Sequence, residues 1–153
     1  MLNTNYSKWT SLVGDVFYIR REGNFLKGHL SLIGCEELKI PLKGLVTPKN
    51  HGTSGFFIIS VQDSVDPSVS QSIAFGGDFL IQSQLDLTYF RFSDASIEEV
   101  ENQKGSMSLY PYFDEKLDQK PSHTHAQSPY VQFLHFAKNQ YEMTLKCPTF
   151  LLN

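Results

Sequence analysis

Apolar and polar side chains alternate with period two along most of the chain, and Gly, Pro, Asn and Asp break the alternation at short intervals. That pattern predicts short strands joined by turns. Phe17 and Ile19 oppose Val16, Tyr18 and Arg20; after a turn at GNF, Leu26, Gly28, Leu30 and Leu32 share one face and Lys27, His29 and Ser31 the other. ELKIPLKGL continues as a strand in which Pro41, lacking a ladder donor, belongs at an edge or a bulge. TPKNHGTSG reads as a loop, FFIISV as a short apolar strand, DSVDPSVS as a second loop, and QSIAFGGDFLI as a strand bent at its double glycine. LDLTYFRF gives the clearest signal, since Leu85, Leu87 and Tyr89 alternate with Asp86 and Thr88 as in a strand with one wet face.

SDASIEEVENQK carries a serine followed three residues later by an acidic side chain, the start signal of a short helix, before GSMSLYPYF returns to strand. DEKLDQKPSHTHAQSP is a polar, Pro-containing connection. In SPYVQFLHFAKNQ, Ser128 is placed as N-cap and Pro129 at the first helical position, with Tyr130, Phe133, Leu134, Ala137 and Tyr141 on one helical face. The same residues also fit a strand paired with YEMTLKC. Eight strands with short turns and glycines at tight corners predict an all-β fold, an eight-stranded up-and-down antiparallel barrel over residues 1–113. A C-terminal extension, 114–153, packs on it as a short helix or a further strand. A lipocalin-like barrel and a β-sandwich are the runner-up folds, and neither accounts as well for Trp9 and the order of the glycines.

With 153 residues the chain is long enough for one domain with a core, and its 41% hydrophobic content and 19% charged content place it among globular proteins. A net charge of −3 without any Lys/Arg cluster gives nucleic acid no cationic surface. No segment approaches the run of about 20 apolar residues that a membrane span needs. MLNTNYSKWT has neither the basic head nor the apolar stretch of a signal peptide, leaving a cytoplasmic protein or one secreted after signal removal. Cys35 and Cys147 lie far apart beside apolar residues and read as two buried thiols rather than a disulfide.

The order of small motifs resembles the avidin and streptavidin family. Trp9-Thr10-Ser11-Leu12-Val13-Gly14-Asp15 has the Trp and Gly of the family's W-x-N-x-x-G-S at the family spacing. Gly23 through Leu30 is similar to G-x-L-x-G-x-Y with one residue added, and Pro41-Leu42-Lys43-Gly44 is similar to P-L-x-G. Gly55 through Val61, Ile73 through Phe79 and Tyr89-Phe90-Arg91 follow in the family's order, so the resemblance extends from Trp9 to about Tyr110. It implies a calycin-like barrel, an end-on pocket for a small organic ligand, and pairing of barrels through the outer faces of later strands, where LTYFRF is too apolar for a solvated face. A homo-oligomer is therefore expected.

The resemblance also carries over a candidate site: Trp9, Ser11, Asp15, Leu30, Phe75, Tyr89 and Met107. In the family three neutral donors hold the ureido oxygen of biotin, and their positions here are Ser11, Asp15 and Leu30. An acidic or amide residue meets the ureido nitrogens, and its position here is approximately Met107. The aromatic cage survives as Phe75 and Tyr89. An ionised Asp15 would repel the ureido oxygen and, if unpaired, would be costly to bury. Biotin binding is therefore expected to be weak or lost.

Simple packing is the competing reading for Trp9, Phe75 and Tyr89, and a turn position is the competing reading for Asp15. Arg91, interrupting an apolar strand, would be the buried partner of Asp15 or Asp86, or would point to solvent. His123 and His125 in SHTHAQ would share one face of a strand and suit a transition metal, but a polar loop without a third ligand makes them a solvated pair. His135 in its apolar segment reads as a core histidine. Without G-x-S-x-G, H-E-x-x-H or a P-loop, neither an enzyme nor a cofactor or metal is expected. The competing function is a protein-interaction module on a barrel filled by its own side chains, with a protein partner in place of a small ligand.

Overall fold

A computed structural model describes residues 7–49, 52–66, 70–79, 84–93, 103–112 and 128–146. Eight strands close into an antiparallel barrel in simple sequence order: β1 (Ser7–Thr10), β2 (Val16–Glu22), β3 (Phe25–Leu32), β4 (Cys35–Lys49), β5 (Gly52–Gln62), β6 (Ser70–Asp78), β7 (Leu85–Phe92) and β8 (Lys104–Pro111). The up-and-down barrel expected from the alternation is thus present. The C-terminal segment is a helix, α1 (Pro129–Lys146), and not a ninth strand.

Period-two patterning decides which side chains fill the interior. Every second residue of β7, namely Leu85, Leu87, Tyr89 and Arg91, is buried, while Asp86, Thr88 and Phe92 are exposed. Opposite residues in paired strands point to the same side of a sheet. The register therefore gathers Phe57 of β5, Phe75 of β6 and Tyr89 of β7 into one inward row. The rings of Phe57 and Phe75 stack with centroids 4.9 Å apart, and Phe17 meets both edge-on. Full burial of one such side chain contributes about 1.5–3 kcal/mol relative to leaving it exposed. These side chains are buried in the barrel interior.

Trp9 lies at the seam. It pairs with Phe17 on one side and with Pro111 of β8 on the other, and Thr10↔Tyr110 is the second and last register pair joining β1 to β8. Its side chain is half-buried against the core. Pro41 pairs with His29 of β3, whereas the β4–β5 register begins only at Leu42, so the missing donor falls where β4 has a partner on one side.

The stretch expected to be a loop, TPKNHGTSG, is instead the tip of a long β4–β5 hairpin, with Thr47↔Ser54, Pro48↔Thr53 and Lys49↔Gly52 in register. A backbone ladder extends there beyond the apolar residues that periodicity detects. The double glycine does not end β6, since Gly76 and Gly77 pair with Thr88 and Leu87. The short helix expected after Ser93, the His123/His125 pair and Cys147 lie outside the described residues, as does the side chain of Cys35.

α1 begins as its sequence predicts. The backbone N–H of Val131 donates to the Ser128 hydroxyl at 3.2 Å, which makes Ser128 the N-cap and Pro129 the first helical residue. The helix lies across the barrel end formed by the β1–β2, β3–β4, β5–β6 and β7–β8 connections. Tyr130, Phe133, Leu134 and Ala137 are buried in the same core as the strands. At its far side Gln140 accepts a hydrogen bond from the Ser64 backbone N–H at 2.7 Å. His135, expected in the core, is exposed, because it falls on the helical face opposite to these four residues. No helix among the described residues is long and apolar enough to cross a membrane.

Candidate site at the helix-capped mouth

The β1–β2 connection is a tight loop closed by hydrogen bonds between Gly14 N–H and Ser11 C=O (3.0 Å) and between Ser11 N–H and Asp15 C=O (3.3 Å). Gly14 has φ +94°, a left-handed conformation suited to glycine, and a Cβ there would overlap the Ile33 side chain. The loop drives Ser11 and Asp15 inward, and both are buried.

Tyr130, on the first turn of α1, is the group they meet. Its hydroxyl donates to Asp15 Oδ2 at 2.9 Å, and Ser11 hydrogen-bonds the same phenol. Its ring stacks on Phe17 at 6.3 Å, meets Phe75 edge-on at 5.9 Å and packs against Tyr89 at 6.2 Å. The Tyr89 hydroxyl accepts from the backbone N–H of Tyr130 at 3.3 Å, satisfying one of the donors that a helix start leaves over. Gly105 of β8 sits directly beside the Tyr89 ring, where a Cβ would overlap it. Glycine there leaves room for the ring beside β8.

Burial governs the electrostatics. It raises the Asp15 carboxyl from its ordinary value of 3.8 to about 6, against the opposing pull of the Tyr130 hydroxyl, the Ile33 backbone N–H and the charge of Lys138. Burial, followed by the neighbouring Asp15 charge, pushes the Tyr130 phenol well above its usual range. At neutral pH the pair is therefore a phenol donor on a carboxylate acceptor.

Beside Tyr130 lies a cavity of about 280 Å³ lined by the β1–β2 loop, β7, β8 and the start of α1. Leu12, Val13, Met107 and Val131 supply apolar wall, and Ser11, Ser106, Ser108 and Ser128 are among the polar lining residues. Of the residues singled out from sequence, Ser11, Tyr89 and Met107 line this cavity, and Asp15 lies behind Tyr130. Leu30 and Phe75 are fully buried in the barrel core, and Trp9 packs at the seam; none of the three lines the cavity. Tyr130 is the member that sequence reasoning missed. Its place on the apolar face of a capped helix was legible, but its partner across the barrel was not.

Arg91 takes neither of the aspartate partners expected for it. It is buried, its Nε donates to Gln71 at 3.0 Å, and its guanidinium donates further to Gln103 (3.3 Å) and Gln132 (2.5 Å). Three amide oxygens from β6, the β7–β8 connection and α1 thus tie the helix to the barrel rim. Asp86 faces outward and accepts from Ser108 and Gln84, which holds its carboxyl below the usual range. Among the described residues no cluster of three His, Cys, Asp or Glu side chains could hold a metal ion. Compared with protein-family models and with curated protein sequences, the chain matches none.

Proposed function

We propose that the protein binds a small organic ligand at the helix-capped mouth of an avidin-like barrel, that it no longer binds biotin tightly, and that it acts by binding rather than by catalysis. The carrying observation is the 280 Å³ cavity with an apolar wall of Leu12, Val13, Met107 and Val131 and serines along its lining, the composition expected of a small-molecule site, just below the usual size range. A compact, mainly apolar molecule with one hydrogen-bonding group suits it. The avidin resemblance assigns Ser11 and Asp15 to the ureido oxygen, but both are engaged by the Tyr130 phenol, which supports the reading that biotin is no longer held there.

Three hydrogen bonds lost to a buried polar ligand, at about 1–3 kcal/mol each, weaken affinity by a factor of ~10² to ~10⁶. With Tyr130 also packed against Ser11 and Asp15, isothermal titration should give biotin a dissociation constant no tighter than about micromolar, and a nanomolar constant would overturn this assignment. Small cyclic amides and acids should perturb Tyr and Trp9 fluorescence, and Met107→Trp, which fills the cavity, should abolish that response while the protein stays folded. A flat response to the whole panel would leave the interaction module as the better reading. Deleting the C-terminal extension cannot separate the two, because α1 supplies part of the core.

Self-association is part of the same proposal. The outer faces of β3, β4, β5 and β7 display Phe25, Leu45, Phe56, Ile58 and Phe92 in exposed positions, with Phe90 4.7 Å from Phe92. An apolar patch of this kind on a solvated sheet marks an interaction surface. Sedimentation at micromolar concentration should show at least a dimer, and Phe56→Glu should dissociate it; a strict monomer would refute the pairing.

A further inference from the structure

On the opposite flank, the outer surface of β1–β4 is hollowed rather than flat. Lys8, Tyr18 and His29 form one cross-strand row in register, and Val16, Ser31 and Lys39 form the next. Ser31 belongs to an outward row yet is only 8% exposed, because the sheet is irregular at Ser31/Leu32 and the β3–β4 turn rises beside it. A bulge of this kind re-aims side chains at its edge. The result is a groove of about 750 Å³ with Val16 and Ser31 as floor, the ring row as one wall, and Ile33 and Tyr112 on the other sides.

The Tyr18 and His29 rings are stacked, 4.5 Å between centroids and 19° from parallel, and the Lys8 ammonium lies 5.7 Å from the Tyr18 ring centroid. Lys8 on β1 and Lys39 on β4 stand on strands three spacings apart, roughly 14 Å. In a chain with 16 acidic and 13 basic residues, the lining of this groove among the described residues includes two lysines and a histidine but no carboxylate. The described lining residues therefore carry charge opposite in sign to the net charge of the chain. Partial burial, and then the nearby Lys39, hold the His29 imidazole below its ordinary range, so at neutral pH the positive charge comes from the lysines.

We infer that this groove is a second binding site, for a small organic anion with a planar apolar body, seated against the Tyr18–His29 ring pair with its charge met by Lys8 and Lys39. Aromatic rings supply a surface on which a flat ligand packs at little entropic cost. Ammonium groups on flexible stems meet a carboxylate without demanding one geometry. The site shares no lining residue with the mouth cavity, so the two can be tested separately.

Amide ¹H–¹⁵N shifts of the full chain, titrated with 2-naphthoate and with the neutral 2-naphthylmethanol, test the inference. Naphthoate should give saturable shifts at Tyr18, His29 and Ser31, with the neutral analogue binding about ten-fold more weakly. Each of K8Q and K39Q should weaken naphthoate about three-fold, as befits exposed ion pairs, and the double variant about ten-fold. Added salt should act in the same direction. Equal binding of acid and alcohol, shifts that gather at Ser11 and Met107 instead, an unaffected double variant, or no saturable shifts at all would each overturn the assignment.

Discussion

Asp15→Asn should gain about 3 kcal/mol of stability relative to the parent chain between about pH 4 and about pH 7. In the folded protein the Asp15 carboxyl titrates near pH 6 rather than at its ordinary 3.8. Across that window the fold holds more protons than the unfolded chain, so its stability is greatest below the lower value and declines as pH rises through the upper one. An amide in place of the carboxyl accepts the same hydrogen bond from Tyr130 without a charge to bury. Glu22 and Asp86, both exposed and held below their ordinary ranges, act in the opposite sense. Because both remain in the variant, the difference between the two chains isolates Asp15. Urea melts of the two proteins at matched pH values measure it, and a difference that stays constant with pH would show that the carboxyl is not desolvated by the helix.

Tyr130→Ala should cost about 3–5 kcal/mol, because it removes a buried ring and leaves a cavity among Phe17, Phe75 and Tyr89. Tyr130→Phe keeps the ring and removes only the donor to Asp15, at about 1–3 kcal/mol. The alanine variant should also acquire a ligand: p-cresol, which is the missing side chain, should raise its Tm by more than it raises that of the parent. Thermal melts with and without p-cresol decide the matter. A Tyr130→Ala protein within about 1 kcal/mol of the parent would mean that the ring contributes little to closing the mouth.

The barrel was legible because each inward row depends on local alternation, as in Leu85, Leu87 and Tyr89 against Asp86 and Thr88. The β4–β5 tip was not, since polar residues with Gly and Pro look like a loop even where backbone pairing continues. At the mouth, Ser11 and Asp15 become candidates only through the family resemblance that Trp9 and the glycines carry. Periodicity reports which face a residue occupies, however, and says nothing of what it faces; Asp15 and Tyr130 are 115 positions apart. Arg91 defeats sequence reasoning for a related reason. A buried cation suggests a carboxylate partner, whereas neutral amides such as Gln71, Gln103 and Gln132 leave no charge pattern to find.

The seam between β1 and β8 has a bearing on how the chain reaches this state. Every other ladder joins strands that follow one another in sequence, so each can form as a hairpin with a short closing loop. The seam alone brings together the two ends of the sheet, across about a hundred residues, and returns only the pairs Trp9↔Pro111 and Thr10↔Tyr110. Its closure entropy is the largest in the sheet and its own return the smallest, so on kinetic grounds it gains from forming only once the seven hairpin ladders already hold its edges near each other.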